Sequence, residues 1–359
     1  MVLTGPNGAG KTNVLEAVSF LVPGRGLRRA RLAEPARRIP GDDPDAPPRA
    51  WAVAATLEDP AGPFDAGTGL VPAATGDGRR TVRIDGEEMR SQAALAERIA
   101  VLWLTPDMQR LFTDGASGRR RFLDRMVFAD DPAHAGRLQA YEKALRDRAR
   151  VLSDARRDGR APDGGWLGAL EAAMVERGMA VAAARAALVR RLNPACAMGV
   201  GPFPAARLSL SGPVDCWLAE MPAVDAEEKF LAALRDGREE DAILRGATTG
   251  PHKSDLEVDH VARNAPARQC STGEQKALLI SIILANARLR ALDAGTAPIL
   301  LLDEVAAHLD EVRREALFEE ILALGAQAWM TGTDSTLFSS LGASARHFTV
   351  ADAAIAPAR

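Results

Sequence analysis

Apolar residues at the start of this chain follow the pattern of a strand, a tight loop and then a helix. Residues 1–4 end an apolar run, residues 5–10 are rich in glycine, and residues 11–21 repeat apolar side chains at helical spacing. That spacing puts the apolar side chains on one helix face, while a short unbroken apolar run predicts a buried strand. The pattern therefore predicts a strand, a glycine loop and a helix in succession.

The last third of the chain alternates apolar strands with helices. These elements are predicted at 272–292, 299–302, 311–324 and 327–330. Helices that alternate with buried strands imply a mostly parallel sheet covered by helices. Both ends of the chain therefore fit one α/β domain.

A helical block interrupts this α/β pattern. Strands are predicted before it at 50–57, 81–84 and 101–104. Residues 117–193 then become helical and rich in Ala, Arg and Leu, with a turn at 158–165, and sheet-like segments return near Leu256. We therefore predict a helical insertion at 117–245 between two parts of one lobe, at 1–116 and 246–359.

Composition and charge narrow the possible classes of protein. The chain has 359 residues, of which 47% are hydrophobic and 26% charged, which is ordinary for globular domains. The net charge of -3 argues against a protein that coats nucleic acid by bulk charge. Any DNA binding must therefore come from local Arg clusters.

Cysteine usage and hydropathy favour a cytoplasmic protein. Cys196, Cys216 and Cys270 lie far apart without a CxxC pair, which indicates neither a zinc site nor a disulfide framework. No apolar run approaches the roughly 20 residues that span a bilayer, and no secretory pattern opens the chain. We therefore expect no membrane segment.

A phosphate-binding loop is predicted between the first strand and the first helix. The sequence fits G-x-x-x-x-G-K-[ST], with the members Gly5, Pro6, Asn7, Gly8, Ala9, Gly10, Lys11 and Thr12. Such glycines let backbone N–H groups close on phosphate oxygens at a helix N-terminus. Lys11 is expected to reach the β- and γ-phosphates of ATP, and Thr12 to bind Mg²⁺. The full match in context disfavours the alternative, a glycine turn with a chance lysine.

An apolar strand that ends in two acids predicts the second half of the nucleotide site. Residues 299–302 precede Asp303 and Glu304, which places both carboxylates at the sheet edge where nucleotides bind. Asp303 is expected to hold Mg²⁺, and Glu304 to orient or deprotonate the attacking water. The alternative is an acidic cap for the next helix.

The helix predicted at 272–292 opens on a string similar to the signature of ABC ATPases. Ser271 and Gly273 fit S-x-G-x-Q-[KR], and Gln275 and Lys276 complete it. Ser271 suits a helix N-cap, and the free N–H groups beside it can bind an anion. In ABC heads this end meets the γ-phosphate on the opposite protomer, so the string predicts an ATP-gated dimer. A simple helix cap is the alternative.

Two further segments occupy positions that contribute to ABC dimer interfaces or switches. Asp310 is the best candidate for the loop that crosses the interface, whereas His308 fits an exposed turn better than a catalytic base. Where many ABC ATPases carry a switch histidine this chain has none, so Thr331 or Thr333 would have to serve. Ordinary loop residues are the alternative for both segments.

Several strings, in the same order, resemble the RecF family. They are GPNGAGKTNVLEAVSFL, GRGLRRA, LTPDMQRLFTDGASGRRRFLD, TTGPHKSDLEV, STGEQK and ILLLDEVAAHLD. The P-loop and the signature are too far apart for a transporter subunit, and no long coiled coil of the SMC type intervenes. The predicted fold class is therefore α/β, an ABC-type P-loop ATPase head with an inserted helical lid domain.

The resemblance also implies a function. RecF-like proteins dimerise on DNA with ATP, hydrolyse it slowly and cooperate with RecR and RecO in loading RecA at single-strand gaps. The expected DNA is gapped or a single-strand to double-strand junction, bound without sequence specificity. Lys11 and Glu304 are then catalytic, and Ser271, Gly273 and Asp310 complete the nucleotide site.

The start of the chain departs from the family pattern. Members carry roughly one strand pair before the P-loop strand, whereas here the P-loop begins at Gly5. We therefore expect an upstream segment that flanks the adenine base. Without it, the strand at residues 1–4 is expected to leave a sheet edge open.

Clusters of arginine are the candidates for contact with DNA phosphates. They comprise Arg28, Arg29, Arg31, Arg119, Arg120 and Arg121, with Arg185, Arg190 and Arg191 on the lid. Each would neutralise phosphate without reading sequence, and a solvated surface face is the alternative for each. His252 and Lys253 fit a place near either nucleotide or DNA.

Two other functions fit the same motifs. One is another ABC-type ATPase of chromosome maintenance, and the other is a scaffold in which ATP only holds the dimer together. Glu304 separates hydrolysis from such a passive role.

Overall fold

The protein was analysed as a computed structural model that describes residues 1–37, 41, 49–71, 78–351 and 353–358, with the backbone alone at His308. The chain forms two compact units. Unit 1 contains Met1–Gln109, Gly199–Pro204 and Ser271–Arg359, and unit 2 contains Arg110–Met198 and Ala205–Cys270. The sequence also predicts a basic loop that includes Arg38 and a turn at 76–78; Arg38 and most of that turn lie outside the described residues.

The strands and helices follow in chain order. The strands are β1 (Val2–Thr4), β2 (Trp51–Asp59), β3 (Gly62–Val71), β4 (Arg79–Ile84), β5 (Glu87–Glu88), β6 (Val101–Leu104), β7 (Ala206–Ser211), β8 (Asp255–His260), β9 (Ala265–Pro266), β10 (Ile299–Leu302), β11 (Ala328–Gly332), β12 (His347–Ala351) and β13 (Ala354–Pro357). The helices are α1 (Lys11–Ser19), α2 (Ala93–Ala96), α3 (Ala116–Asp130), α4 (His134–Arg157), α5 (Gly164–Ala197), α6 (Pro213–Glu220), α7 (Ala223–Asp236), α8 (Arg238–Leu244), α9 (Thr272–Ala294) and α10 (Glu311–Ala323).

The main sheet of unit 1 brings together strands from both ends of the chain. Its order is β13-β12-β1-β11-β10-β6, and all neighbours are parallel except the β12–β13 pair. The expectation of a mostly parallel sheet is confirmed. The expectation of an open edge beside β1 is wrong, because β12 and β11 pair with its two sides. A strand near the C-terminus supplies the neighbour that we expected from an upstream segment.

A second sheet of unit 1 is antiparallel, in the order β2-β3-β4-β5. β2 pairs over its full length with β3, from Trp51↔Leu70 to Asp59↔Gly62. One hydrophobic core joins this sheet to the main sheet, and it includes Leu3, Leu15, Phe64, Trp103 and Leu301. The strand and helix that flank the P-loop are therefore anchored in a core shared by both sheets.

Unit 2 consists of helices α3–α8 together with the three-stranded sheet β7-β8-β9. Its core packs α4 and α5 against α6 and α7 through side chains such as Tyr141, Met174, Val214 and Phe230. The unit is wider than the expected insertion at 117–245. Residues 246–270 group with it because β8 pairs along its whole length with β7.

A buried ionic cluster ties four helices of unit 2 together. The Arg148 guanidinium on α4 donates to Glu171 of α5 at 3.1 Å and to Asp241 of α8 at 2.6 Å. It also donates to the Leu234 carbonyl of α7 at 2.6 Å, and Arg238 of α8 pairs with Glu171 from the other side. Arg148 is 1% exposed, so each partner compensates a charge that has no access to water.

Among the described residues, the helices fall short of the length and apolar character that crossing a bilayer requires.

Candidate nucleotide-binding site

The P-loop forms a tight turn between β1 and α1 that only glycine accommodates at its start. Gly5 has φ +154°, and a Cβ there would lie 2.1 Å from the Val350 carbonyl oxygen of β12. Gly8 and Gly10 also have positive φ; a Cβ at Gly8 would meet open space, and one at Gly10 would lie 3.7 Å from Asn13 Nδ2. Pro6, Asn7 and Gly8 are exposed, and Ala9 donates its N–H to the Pro6 carbonyl at 3.3 Å. The sequence therefore forms the exposed loop before a helix N-terminus that phosphate binding requires.

Lys11 lies buried under this loop at the first residue of α1. Its side chain is directed toward the loop, because Nζ donates to the carbonyls of Gly5 at 2.7 Å and Pro6 at 3.0 Å. The residue is only 5% exposed. The ammonium is therefore held on the loop that is expected to enclose phosphates.

A chain of hydrogen bonds connects the P-loop helix to the two acids after β10. Thr12 Oγ1 donates to both carboxylate oxygens of Asp303, at 3.2 and 3.1 Å. Thr331 Oγ1 of β11 donates to Asp303 Oδ1 at 2.6 Å and accepts the backbone N–H of Glu304 at 2.9 Å. Because β11 lies between β1 and β10, Thr331 is the natural bridge between the two motifs. The structure therefore brings Thr12, Asp303 and Glu304 together, as the motifs predict.

The oxygen atoms of Thr12 and Asp303 in this hydrogen-bonded chain are suitable ligands for Mg²⁺. The hydroxyl of Thr12 and the carboxylate of Asp303 are hard ligands, and they converge within hydrogen-bond distance of each other. Asp303 is 7% exposed and has no arginine or lysine partner among the described ion pairs. A cation bound there would compensate a carboxylate that is otherwise held by hydroxyls alone.

Glu304 has an unusual backbone conformation for a residue other than glycine. Its φ is +51°, in the left-handed region, and the bond from its N–H to Thr331 holds it there. Such conformations are disfavoured by about 1–3 kcal/mol and cluster at functional sites. The strain agrees with a carboxylate that is aimed at a reaction site.

The predicted signature forms the capped start of α9. Ser271 accepts the N–H of Glu274 at 3.4 Å, and the Glu274 carboxylate accepts the N–H of Ser271 at 2.9 Å. Ser271 and Gly273 are exposed, whereas the helix from Gln275 to Ala287 is buried. This start of α9 is therefore a rigid, accessible helix end.

The sequence did not reveal that Lys276 and Gln109 line one small cavity together with Asp303. The Lys276 ammonium is buried and donates to the Val305 carbonyl at 2.9 Å. Burial lowers the pKa of Lys276 to about 8, while the charge of Glu304 acts in the opposite direction. A cavity of about 10 Å³, room for about one water, is lined by Gln109, Lys276 and Asp303 among others. The available signal for Gln109 was its place shortly after β6, a parallel neighbour of β10.

The remaining interface and switch candidates have local roles in unit 1. Asp310 caps α10 by accepting the N–H of Arg313 at 2.8 Å, and its carboxylate is exposed. Thr331 is fully buried, whereas Thr333 is exposed. Thr331 is thus the one of the two that contacts the acids. The side chain of His308 lies outside the described residues.

The arginines of the N-terminal basic loop lie on unit 1 near α1. Arg28 donates to Asn13 at 2.6 Å and to Glu16 at 3.2 Å, and its side chain remains 46% exposed. Arg29 has φ +60°, and Arg31 is exposed. These side chains remain compatible with contact to an external phosphate.

The arginines of unit 2 divide into structural and exposed residues. Arg119 forms a two-pronged ion pair with Asp255, both contacts 2.7 Å, and Arg185 does the same with Asp124 at 2.8 Å. Arg185 is 1% exposed, so phosphate cannot reach it. Arg120 donates to the Ser254 carbonyl at 2.7 Å. The exposed members are Arg121, Arg190 and Arg191, the last near Asp130 at 3.6 Å.

His252 is bound on both ring nitrogens inside unit 2. Its Nδ1 lies 2.6 Å from the Tyr141 hydroxyl and its Nε2 lies 2.8 Å from the Ala247 carbonyl. A carbonyl only accepts, so Nε2 carries the proton and Nδ1 accepts from Tyr141. These contacts give His252 a structural role, while Lys253 beside it is exposed.

This environment predicts that unit 2 loses stability in mild acid. Burial lowers the pKa of His252 to about 4, so the unfolded chain, with a pKa near 6.5, takes up a proton first. The stabilisation is therefore full above about pH 6.5 and declines by up to about 3 kcal/mol as the pH falls toward 4. Thermal unfolding of His252→Gln between pH 7 and 4.5 should show a shallower decline than the native protein. His347→Gln, which removes a histidine of unit 1, is the control, and parallel profiles for His252→Gln and the native protein would contradict this assignment.

Comparison with known proteins agrees with the motifs. A family model described as the RecF/RecN/SMC N terminal domain matches residues 1–354. The DNA replication and repair protein RecF of Mesorhizobium japonicum is 49% identical over 359 residues, which covers 99% of this chain and 91% of the relative. RecF of Caulobacter sp. strain K31 is 50% identical over 349 residues, covering 94% and 87%.

Solved structures share the fold. The recombination mediator protein RecF with ATP, from the RecFOR pathway, aligns with a TM-score of 0.81 at 19% identity, covering 100% of this chain and 91% of that one. The Smc head domain of Pyrococcus furiosus aligns with a TM-score of 0.50 at 15% identity, covering 99% and 88%. The predicted class, an α/β ABC-type ATPase head, is confirmed.

Proposed function

Because this chain belongs to the RecF family of DNA replication and repair proteins, we propose that it is an ATP-dependent DNA clamp of recombinational repair and replication restart. The observation that carries the proposal is the hydrogen-bonded chain from Thr12 through Asp303 and Thr331 to Glu304. It links the P-loop helix to both acids after β10. Such an arrangement serves ATP hydrolysis and is difficult to explain as a mere cap.

The residues of the P-loop bind the phosphates of ATP. The loop at residues 5–10, which has a backbone N–H at every position except Pro6, would enclose them, and Lys11 supplies a positive charge from its buried position. Thr12 and Asp303 would hold Mg²⁺, which when bound neutralises charge on the phosphates. The close packing of Gly5 on β12 fixes the loop for this purpose.

Glu304 orients or deprotonates the water that attacks the terminal phosphate. Thr331 fixes the backbone of Glu304 and also donates a hydrogen bond to Asp303. The two acids are therefore held at a fixed position relative to each other. Thr331 thereby takes a positioning role where many ABC ATPases use a histidine. We expect slow turnover, since the hydrolysis serves to reset a clamp.

ATP closes a dimer of two such chains. The exposed start of α9, with Ser271 and Gly273, is free to meet the nucleotide of the opposite protomer. Its capping box keeps the helix end rigid before that contact forms. Asp310, exposed at the start of α10, contributes to the same interface.

The clamp binds gapped DNA or single-strand to double-strand junctions through phosphate contacts. The candidates that remain accessible are Arg28, Arg29, Arg31, Arg121, Arg190 and Arg191, with the half-buried Arg120 next to Arg121. A solved relative is a recombination mediator of the RecFOR pathway, which supports RecR and RecO as partners in loading recombinase. These contacts require no base-specific reading.

Substitution of Glu304 tests the hydrolytic role against a passive scaffold. Glu304→Gln should lower kcat at least about 100-fold, the usual effect of losing a general base, and leave ATP affinity within about twofold. Its ATP-bound dimer should persist longer than that of the native protein. Glu315→Gln, an exposed acid on α10, is the matched control. Unchanged turnover and dimer lifetime in Glu304→Gln would favour the scaffold.

A further inference from the structure

Lys276 is a buried lysine of unit 1 that has no role in the phosphate binding proposed above. The residue lies in the second turn of α9 and is 5% exposed, and its Nζ donates to the Val305 carbonyl at 2.9 Å. Lysine is almost never this buried unless a specific partner compensates the lost hydration. A leucine would fill the same space without desolvating a charge. The contact itself, and not packing, therefore accounts for the lysine.

The contact falls next to Glu304. The N–H of Glu304 is held by Thr331 Oγ1 at 2.9 Å, and the carbonyl of the following residue, Val305, is held by Lys276. Between these two bonds the backbone passes through the left-handed conformation at Glu304, φ +51°. That conformation persists only when the surroundings enforce it. Thr331 and Lys276 hold the turn from its two sides.

The water-sized cavity lies at the same place. Lys276 and Asp303 both line it, together with Gln109 and Val305. A shift of the Lys276 side chain would therefore disturb both the turn at Glu304 and the polar cavity beside Asp303. Among the described residues that line this cavity, Lys276 is the single lysine.

We propose that Lys276 is a positioning residue for hydrolysis, which fixes the Glu304 turn through the Val305 carbonyl. It also ties the start of α9 to Glu304 of the same protomer, because Ser271 and Lys276 belong to one rigid capped helix. A contact made by the start of α9 can therefore affect the position of Glu304, the residue that activates water. This inference rests on the proposed hydrolytic function of Glu304.

The test compares Lys276→Met with the native chain. We expect kcat to fall at least about tenfold, because a misplacement of about 1 Å at a reacting group costs up to about 100-fold. Equilibrium ATP affinity should stay within about twofold, since Lys276 does not contact the P-loop. Lys276→Arg, which keeps a donor, should recover part of the turnover. Lys143→Met, an exposed lysine of α4, is the control for loss of charge.

The double variant Lys276→Met/Glu304→Gln separates positioning from general damage. If Lys276 acts through Glu304, its removal should cause little further loss once Glu304 is replaced. The proposal would be overturned if the fall in kcat of the double variant equalled the product of the two single falls. A tenfold fall in ATP affinity, or native kcat in folded Lys276→Met, would also overturn it. Lys276→Leu, which also lacks a donor, replaces Lys276→Met with the same expected results if the latter does not fold. Native turnover in Glu304→Gln alone would instead refute the proposed function.

Discussion

The Lys11→Ala protein is expected to remain monomeric in the presence of ATP. The ammonium lies on the P-loop, bonded to the carbonyls of Gly5 and Pro6, and we expect it to contact the phosphates when nucleotide binds. Charged hydrogen bonds contribute about 1.5–3 kcal/mol each, so ATP affinity should fall by at least about 100-fold. Sedimentation with ATP, together with equilibrium binding of a fluorescent nucleotide, measures both effects.

A matched lysine substitution shows whether the effect is local. Lys143→Ala removes the same charge from an exposed position of α4 and should dimerise with ATP like the native chain. Thermal unfolding of Lys11→Ala without nucleotide should show that the protein is folded. A dimer that persists with ATP in Lys11→Ala would refute the assignment of the P-loop.

The second large effect concerns stability, and it is expected for Arg148→Met. The substitution leaves Glu171 and Asp241 without their shared cation, and both are shielded from water. Breaking a buried ion pair by removing one partner costs about 3–5 kcal/mol. Amide hydrogen exchange in α4 and α5 should therefore lose protection by more than about 100-fold, whereas β10 and β11 of unit 1 should change less.

The control for this prediction is the exposed pair on the same helix. Lys143→Met removes the partner of Asp147, four residues away on the surface, and should leave exchange in α4 and α5 close to native. Equal protection in Arg148→Met and Lys143→Met would show that the buried cluster does not stabilise unit 2. Local exchange is the appropriate measurement, because a chain with two compact units need not unfold in a single step.

The nucleotide site could be predicted well because its functional residues belong to short contiguous sequence motifs. The strand at Ile299–Leu302 has the expected bounds, and α1 and α9 begin at their predicted first residues. β3 was missed, since its sequence GPFDAGTGLV has the residues of a loop. It forms a strand because β2 pairs with it over nine positions, and no local pattern contains that information.

Local sequence also could not show which arginines are structural and which are exposed, because their ion pairs join distant segments of the chain. Arg119 and Arg185 have the appearance of surface charges, yet each pairs with an aspartate 136 or 61 residues away along the chain. The bridging role of Thr331 and the burial of Lys276 also depend on contacts between distant segments. A motif names the residues that meet a ligand more readily than those that hold them in place.

The position of β1 in the main sheet constrains the order in which the chain can fold. Its neighbour β12 is separated from it by nearly the whole chain, as shown by Thr4 and Phe348, whose contact spans 344 residues. Pairings of such high contact order form late, because chain entropy is lost before they contribute stability. During synthesis at about 5–20 residues per second, the first strand therefore waits tens of seconds for its partner. Unit 2, whose residues all lie between 110 and 270, can fold while the P-loop strand is still unpaired on that side.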